Sequence, residues 1–186
     1  MFLNFIDIKT LFIIGHIVGA VLGAGGAFVS DAIFFSTVKD GIINKTEMRF
    51  ISLGSRFVWG GLIILIISGI GLFFTNPIYY IASTKFISKI IIVGIITING
   101  IIFHKLHIPV LKRSVGSKLI NSKEFIKRSN ILMISGAVSM VSWVATLVLG
   151  SLKKIPYGID TILSVYLVIL FVGICSSVII KRRLFS

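Results

Sequence analysis

Five long apolar windows constrain this chain more than any other feature: about Leu11–Phe35, Phe50–Phe74, Phe86–Leu106, Ile131–Ser151 and Thr161–Ile180. About 20 residues at ~1.5 Å rise cross a hydrocarbon core about 30 Å thick, so each window is long enough to span a bilayer as a helix. The composition agrees, with 56% hydrophobic and only 13% charged residues, where a soluble domain carries about a quarter charged. The expectation is an all-α integral membrane bundle of five transmembrane helices. It forms one domain over residues 1–186, because the longest connection, Lys105 to Asn130, is too short to hide a soluble unit.

The leader "MFLNFIDIKT" lacks the basic start of a secretory signal, and the apolar run after it is longer than a signal core, so the first window is expected to be a retained span. Orientation follows from the basic residues. Lys39, Lys45, Arg49 and Arg56 belong to the first connection; Lys105, Lys112, Arg113, Lys118, Lys123, Lys127 and Arg128 to the third; Lys181, Arg182 and Arg183 to the C-terminus. Only Lys9, Lys85, Lys89, Lys153 and Lys154 fall at the opposite end. The positive-inside rule then places the N-terminus outside and the C-terminus in the cytoplasm of a multi-pass cell-membrane protein of bacterial inner-membrane type. The net charge of +13 is a consequence of that topology, facing anionic headgroups, and no nucleic-acid partner is expected. The partners expected are the lipid bilayer and a further copy of the chain. Asn44 with Glu47 and Asn121 with Glu124 have capping-box spacing, which predicts that the second and fourth helices begin inside the basic connections. Cys175 stands alone, so no intramolecular disulfide forms.

Polar groups within spans carry the functional signal, because an ionisable side chain in hydrocarbon needs a partner or a task. The candidates are His16, Asp31, Arg56, Lys89, Asn99 and His104. Asp31 near the inner end of the first helix and Arg56 about two turns into the second suggest a structural ion pair, with a proton-relay or substrate role for Asp31 as the alternative. His104 and His107, in "FHKLHIP", fall at the inner mouth of the third span, where interface histidines are tolerated with or without a metal. Ser135, Ser139 and Ser142 line one face of the fourth span as packing serines do, and Trp143 and Tyr166 read as bundle filler. Met133, Met140 and Cys175 are too scattered to make a copper track, although soft sulfur ligands suit Cu(I).

His16 is the second residue of the run "GHIVGAVLGAGGAFVSD". At about 100° per residue, Gly19, Ala20, Gly23, Ala27 and Ser30 project within about 60° of it, so the face below His16 is nearly flat. Gly15, Gly19 and Gly23 make two overlapping G-x-x-x-G units, the pattern of close helix packing. A flat face with an imidazole at one end also suits a planar macrocycle held through iron. Lys89 lies at a depth close to that of His16, with Lys85 one turn earlier on the same face.

"GHIVGAVLGAGGAF" resembles the first helix of two related bacterial families, the copper-resistance D-type membrane domain and the membrane-embedded protoporphyrinogen oxidase of the HemJ type. "RFISLGSRFVWGGLIILIISGIGLFF" and "KFISKIIIVGIITINGIIFHKL" are similar to their second and third helices, and the likeness covers roughly Leu11 to Leu106. In place of the aromatic that usually precedes the paired glycines, this chain has "LGAGG", and it carries a fifth span. The resemblance implies a b-type haem with His16 and Lys89 as ligands to the iron, and an oxidoreductase if the protein is an enzyme; no catalytic residue is assigned. Two other classes stay open: a metal-ion or small-solute permease using Asp31, Asn99 and Lys89 along a path, and a non-catalytic assembly protein. A haem spectrum separates the first from the others, and transport dependent on Asp31 marks the second.

Overall fold

The computed structural model describes residues 7–119, 122–153 and 155–184, with side chains as far as 181. All five windows are helical, and the described residues contain no strand, only two isolated bridges between loops. The first span is α1 (Ile8–Asp40) and the second α2 (Lys45–Thr75), followed by a single short turn of helix, α3 (Pro77–Ile81). The third span is α4 (Thr84–Ile102), which runs through a π-turn (Phe103–His107) into α5 (Ile108–Arg113). The fourth and fifth spans are α6 (Lys123–Ser151) and α7 (Ile159–Leu184). The helices outrun the apolar windows because their ends are set by capping groups lying beyond the hydrocarbon.

The Asp7 side chain caps α1 by accepting from the Lys9 N–H at 3.4 Å. Gly41 closes the other end at φ 74°, its N–H bonded to the Thr37 carbonyl, a left-handed conformation that a Cβ would penalise. The Asn44–Glu47 capping box forms with both bonds, at 2.8 and 2.9 Å. Asn121 lies outside the described residues; α6 is capped by Ser122, whose Oγ accepts from the Phe125 N–H at 3.3 Å. Glu124 instead pairs with Arg113 at 3.3 Å, the one ion pair among the described residues. Pro109 has no N–H to offer the Lys105 carbonyl, so the third span cannot continue as a regular α-helix there. It widens into the π-turn, closed by the Ile108 N–H on the Phe103 carbonyl.

α1 and α2 pack antiparallel along a seam of glycines. A Cβ on Gly61 would stand 2.3 Å from the Gly23 nitrogen, and one on Gly26 would stand 2.9 Å from the Gly54 carbonyl oxygen. Backbones approach this closely only where both sides lack a side chain. The contact unit is therefore Gly19 and Gly23 against Gly61, and Gly26 against Gly54; Gly15 only touches the Ser68 Cβ. α4, α6 and α7 form the second half of the bundle. Trp143 of α6 joins the halves, its ring edge seated in the notch at Gly23, where a Cβ would lie 2.3 Å from it.

The connection read as a loop from Lys105 to Asn130 is mostly folded. Its Gly116 and Leu119 N–H groups donate to the carbonyls of Ile43 and Gly41, at 2.9 and 2.8 Å. This lays the third connection over the first and buries Ile43, Leu111, Leu119 and Phe125 in one cluster. Lys181 Nζ donates to Asn130 Oδ1 at 2.6 Å, bringing the far end of α7 to the same place. We call this the basic end. At the opposite end the Thr84 hydroxyl bonds the Tyr157 carbonyl at 3.2 Å. The first and third connections and the end of α7 thus share one end, which is the grouping the charge count requires.

Candidate functional site

The ionisable groups within spans separate into two places. Towards the end opposite the basic one, His16 faces α2, with its Nδ1 3.1 Å from Ser68 Oγ. The Ser68 hydroxyl already gives its proton to the Ile64 carbonyl at 2.6 Å. The ring nitrogen is therefore the donor in this contact, which with the Leu65 backbone orients the imidazole against α2.

Lys89 is directed elsewhere. Its Nζ lies against Gly150, in the last turn of α6, and Lys85 donates to the Leu152 carbonyl just beyond that helix. Cations at a helix carboxyl end are favoured by the unsatisfied carbonyls and the dipole, so the two lysines close α6. Lys89 stays within Coulombic range of His16, but the two side chains are seated on different helices.

The flat face below His16 is not free. Gly19 lies on the Gly61 and Leu65 backbone, Gly23 on the Trp143 ring, and Ala27 is 3% exposed. The residues therefore offer a haem an oriented imidazole but no cradle: α2 and Trp143 fill the surface along which a macrocycle would lie.

Asp31 and Arg56 do not meet. Ser30 turns towards Gly54 on the α1–α2 seam, and Asp31, one residue later, is rotated off the seam towards α6. Arg56, two residues after Gly54, is rotated outward and exposed. The pairing expected from depth alone fails on helical azimuth, and this corrects the predicted ion pair.

Asp31 instead lines a small cavity of about 40 Å³ between α1, α2, α4 and α6, with Ser30, Ser55, Asn99, Ser135 and Ser139 among its other polar groups. The carboxyl is 6% exposed. Ser139 hydrogen-bonds it, while Asp31 Oδ2 and Ser30 Oγ are buried without a partner. Asp31 is the only titratable side chain on the cavity wall. Asn99 is held by Ser135, its amide donating to the Ser135 carbonyl at 3.0 Å and its Oδ1 accepting from Ser135 Oγ at 2.9 Å. Trp59 and Trp143 supply the aromatic wall.

The wider i→i+5 turn separates the histidines, which three residues apart on an α-helix would share a face. His104 is exposed and its Nδ1 sits 3.3 Å from Ser55 Oγ. His107 is 1% exposed beside the Phe103 ring, with neither ring nitrogen hydrogen-bonded. Among the described residues no three His, Cys, Asp or Glu side chains stand together as a metal site.

The serines of α6 carry more than packing. Ser135 serves Asn99, Ser139 serves Asp31, and Ser142 bonds the buried Tyr166 hydroxyl at 2.9 Å. Their i, i+4, i+7 spacing in an apolar helix was the available signal, since buried polar groups on neighbouring helices need such donors. Ser30 and Ser55 carried no comparable signal.

The fold and its five spans define a multi-pass integral membrane protein. No family model, no curated protein and no solved structure matches the chain.

Proposed function

We propose that this protein is a permease for a small cation and that Asp31 holds the cation in transit. The observation that carries the reading is the carboxyl itself: buried, with one oxygen unpartnered and no cationic partner, on the wall of a cavity where four helices meet. A charged carboxylate at such depth costs about 2.5–3.5 kcal/mol or more. A packing role repays none of that cost, whereas an arriving cation supplies the missing counter-charge. A cavity of about 40 Å³ has room for a water molecule or a bare ion. Trp143, 2% exposed and keyed into Gly23, forms part of its wall. By the positive-inside rule the basic end is cytoplasmic, in a cell membrane of bacterial type. Asn99 shapes the cavity; Lys89, at Gly150, is off the path.

The test is cation flux into proteoliposomes under an imposed potential. Flux that is lost in Asp31→Asn supports the permease; equal flux in both proteins rejects it.

The second reading is the haem protein implied by the family resemblance, with His16 and Lys89 on the iron. The oriented His16 imidazole favours it, and the filled face beneath His16 opposes it. A Soret band in protein purified after ample haem supply, lost in His16→Ala, would establish it over the first.

A further inference from the structure

We infer that the cation is a proton, and that it reaches Asp31 from the basic end through His104 and Ser55. This inference rests on the permease reading and names its cargo and route. The exposed His104 ring touches the buried Ser55 hydroxyl at 3.3 Å, and Ser55 lines the same cavity as Asp31. The contact joins a side chain accessible at the end of the third span to the unpartnered oxygen inside the bundle. The cavity exceeds the ~10–15 Å³ that one water needs, and Asp31 Oδ2 and Ser30 Oγ are the partners such a water requires.

Every group along this line both accepts and releases a proton. A metal ion is served less well, because Asn99 Oδ1 already accepts from Ser135, which leaves one carboxylate and hydroxyls as ligands. His107, though buried and unpartnered, lies outside the cavity wall, against Phe103.

The transfer balances without a redox partner. His104 takes a proton from solution at Nε2 and passes the one on Nδ1 to Ser55 Oγ. Ser55 gives its own hydroxyl proton to the cavity water, and the water gives one of its protons to Asp31 Oδ2. The serine and the water end as they began; Asp31 holds the proton as the neutral acid until it releases it towards the opposite end and becomes a carboxylate again. His104, neutral with its proton on Nε2, is reset by a turn of the ring or by losing that proton to solution and regaining one at Nδ1.

The π-turn gives the route its geometry. It directs His104 at α2 while His107 turns into the core, and Pro109 enforces it. Regular helix through this stretch would bring the two rings round towards one face.

The experiment measures proton uptake by pyranine-loaded proteoliposomes under a valinomycin-set potassium potential. Wild type, Asp31→Asn, His104→Gln, His104→Ala and Ser55→Ala are compared at equal reconstituted amounts, checked by size exclusion. The expected result is no flux in Asp31→Asn and at least a tenfold loss in both His104 variants and in Ser55→Ala. Added imidazole should restore flux severalfold in His104→Ala and not in Ser55→Ala, a response that a merely structural histidine would not give. If Asp31→Asn is silent while the His104 variants stay within twofold of wild type, the route is overturned and the permease stands. If wild type passes another cation but no protons, the cargo and route fall together. If it passes no cation at all, the permease reading itself fails.

Discussion

Replacing Asp31 by Asn should make the protein more stable while abolishing its transport. The side chains are nearly isosteric, so packing against Gly136 and the bond to Ser139 survive. What changes is the buried oxygen without a partner: Asn replaces the carboxylate by a neutral amide, so no charge is left uncompensated inside the bundle. A buried unsatisfied polar group costs about 1–3 kcal/mol, and more when charged. Allowing for the amide N–H₂ that takes the place of the unpartnered oxygen, a gain of about 1–2 kcal/mol follows, or a rise in Tm of roughly 2–8 °C for a chain of this size. The chain's two tryptophans, Trp59 and Trp143, both line the cavity, so their fluorescence during thermal unfolding in detergent reports on this part of the bundle. The same signal followed against pH should respond to the carboxyl in wild type and lose that response in the variant. A fall in Tm for Asp31→Asn would refute the reasoning, because it would mean that the carboxylate is held by interactions that stabilise the fold.

Gly61→Ala should cost about 1–3 kcal/mol or more, since its Cβ meets the Gly23 backbone, which no rotamer change can clear. Gly23→Ala meets the Trp143 ring instead, so its cost should shrink in a Trp143→Phe background; a double-mutant cycle on Tm checks this, and strict additivity would contradict it. Ser135→Ala leaves the Asn99 amide half-satisfied and should cost about 0.5–2 kcal/mol, the range for polar contacts between membrane helices. Lys85→Met and Lys89→Met remove cations from the carboxyl end of α6, so amide exchange should quicken around residues 148–152, at about 0.3–1 kcal/mol each.

The five spans were legible because hydropathy over about 20 residues depends little on neighbouring helices. The grouping of connections at two ends was legible for a related reason, since charge counts follow topology. Azimuth was not. Asp31 and Arg56 looked like partners because depth can be estimated along a helix, whereas the direction of each side chain depends on which face the glycine seam occupies. The flat face at Gly19 and Gly23 was visible, but α2 and Trp143 as its occupants were not, since any flat face serves a helix, a ring or a ligand equally. The π-turn was announced only by Pro109, and its consequence for His104 depends on the helix that it happens to face.

The seating of Trp143 at Gly23 makes the chain a two-part assembly. α1 and α2 form a hairpin whose glycine seam is complete within itself, while α4, α6 and α7 bury their polar groups on one another through Asn99 with Ser135 and Tyr166 with Ser142. A break in the short stretch from Asn76 to Ser83 would cut neither set of contacts. Two fragments made separately should therefore find each other in the bilayer, keyed by the indole at Gly23 and latched at the basic end, where the third connection bonds to the first.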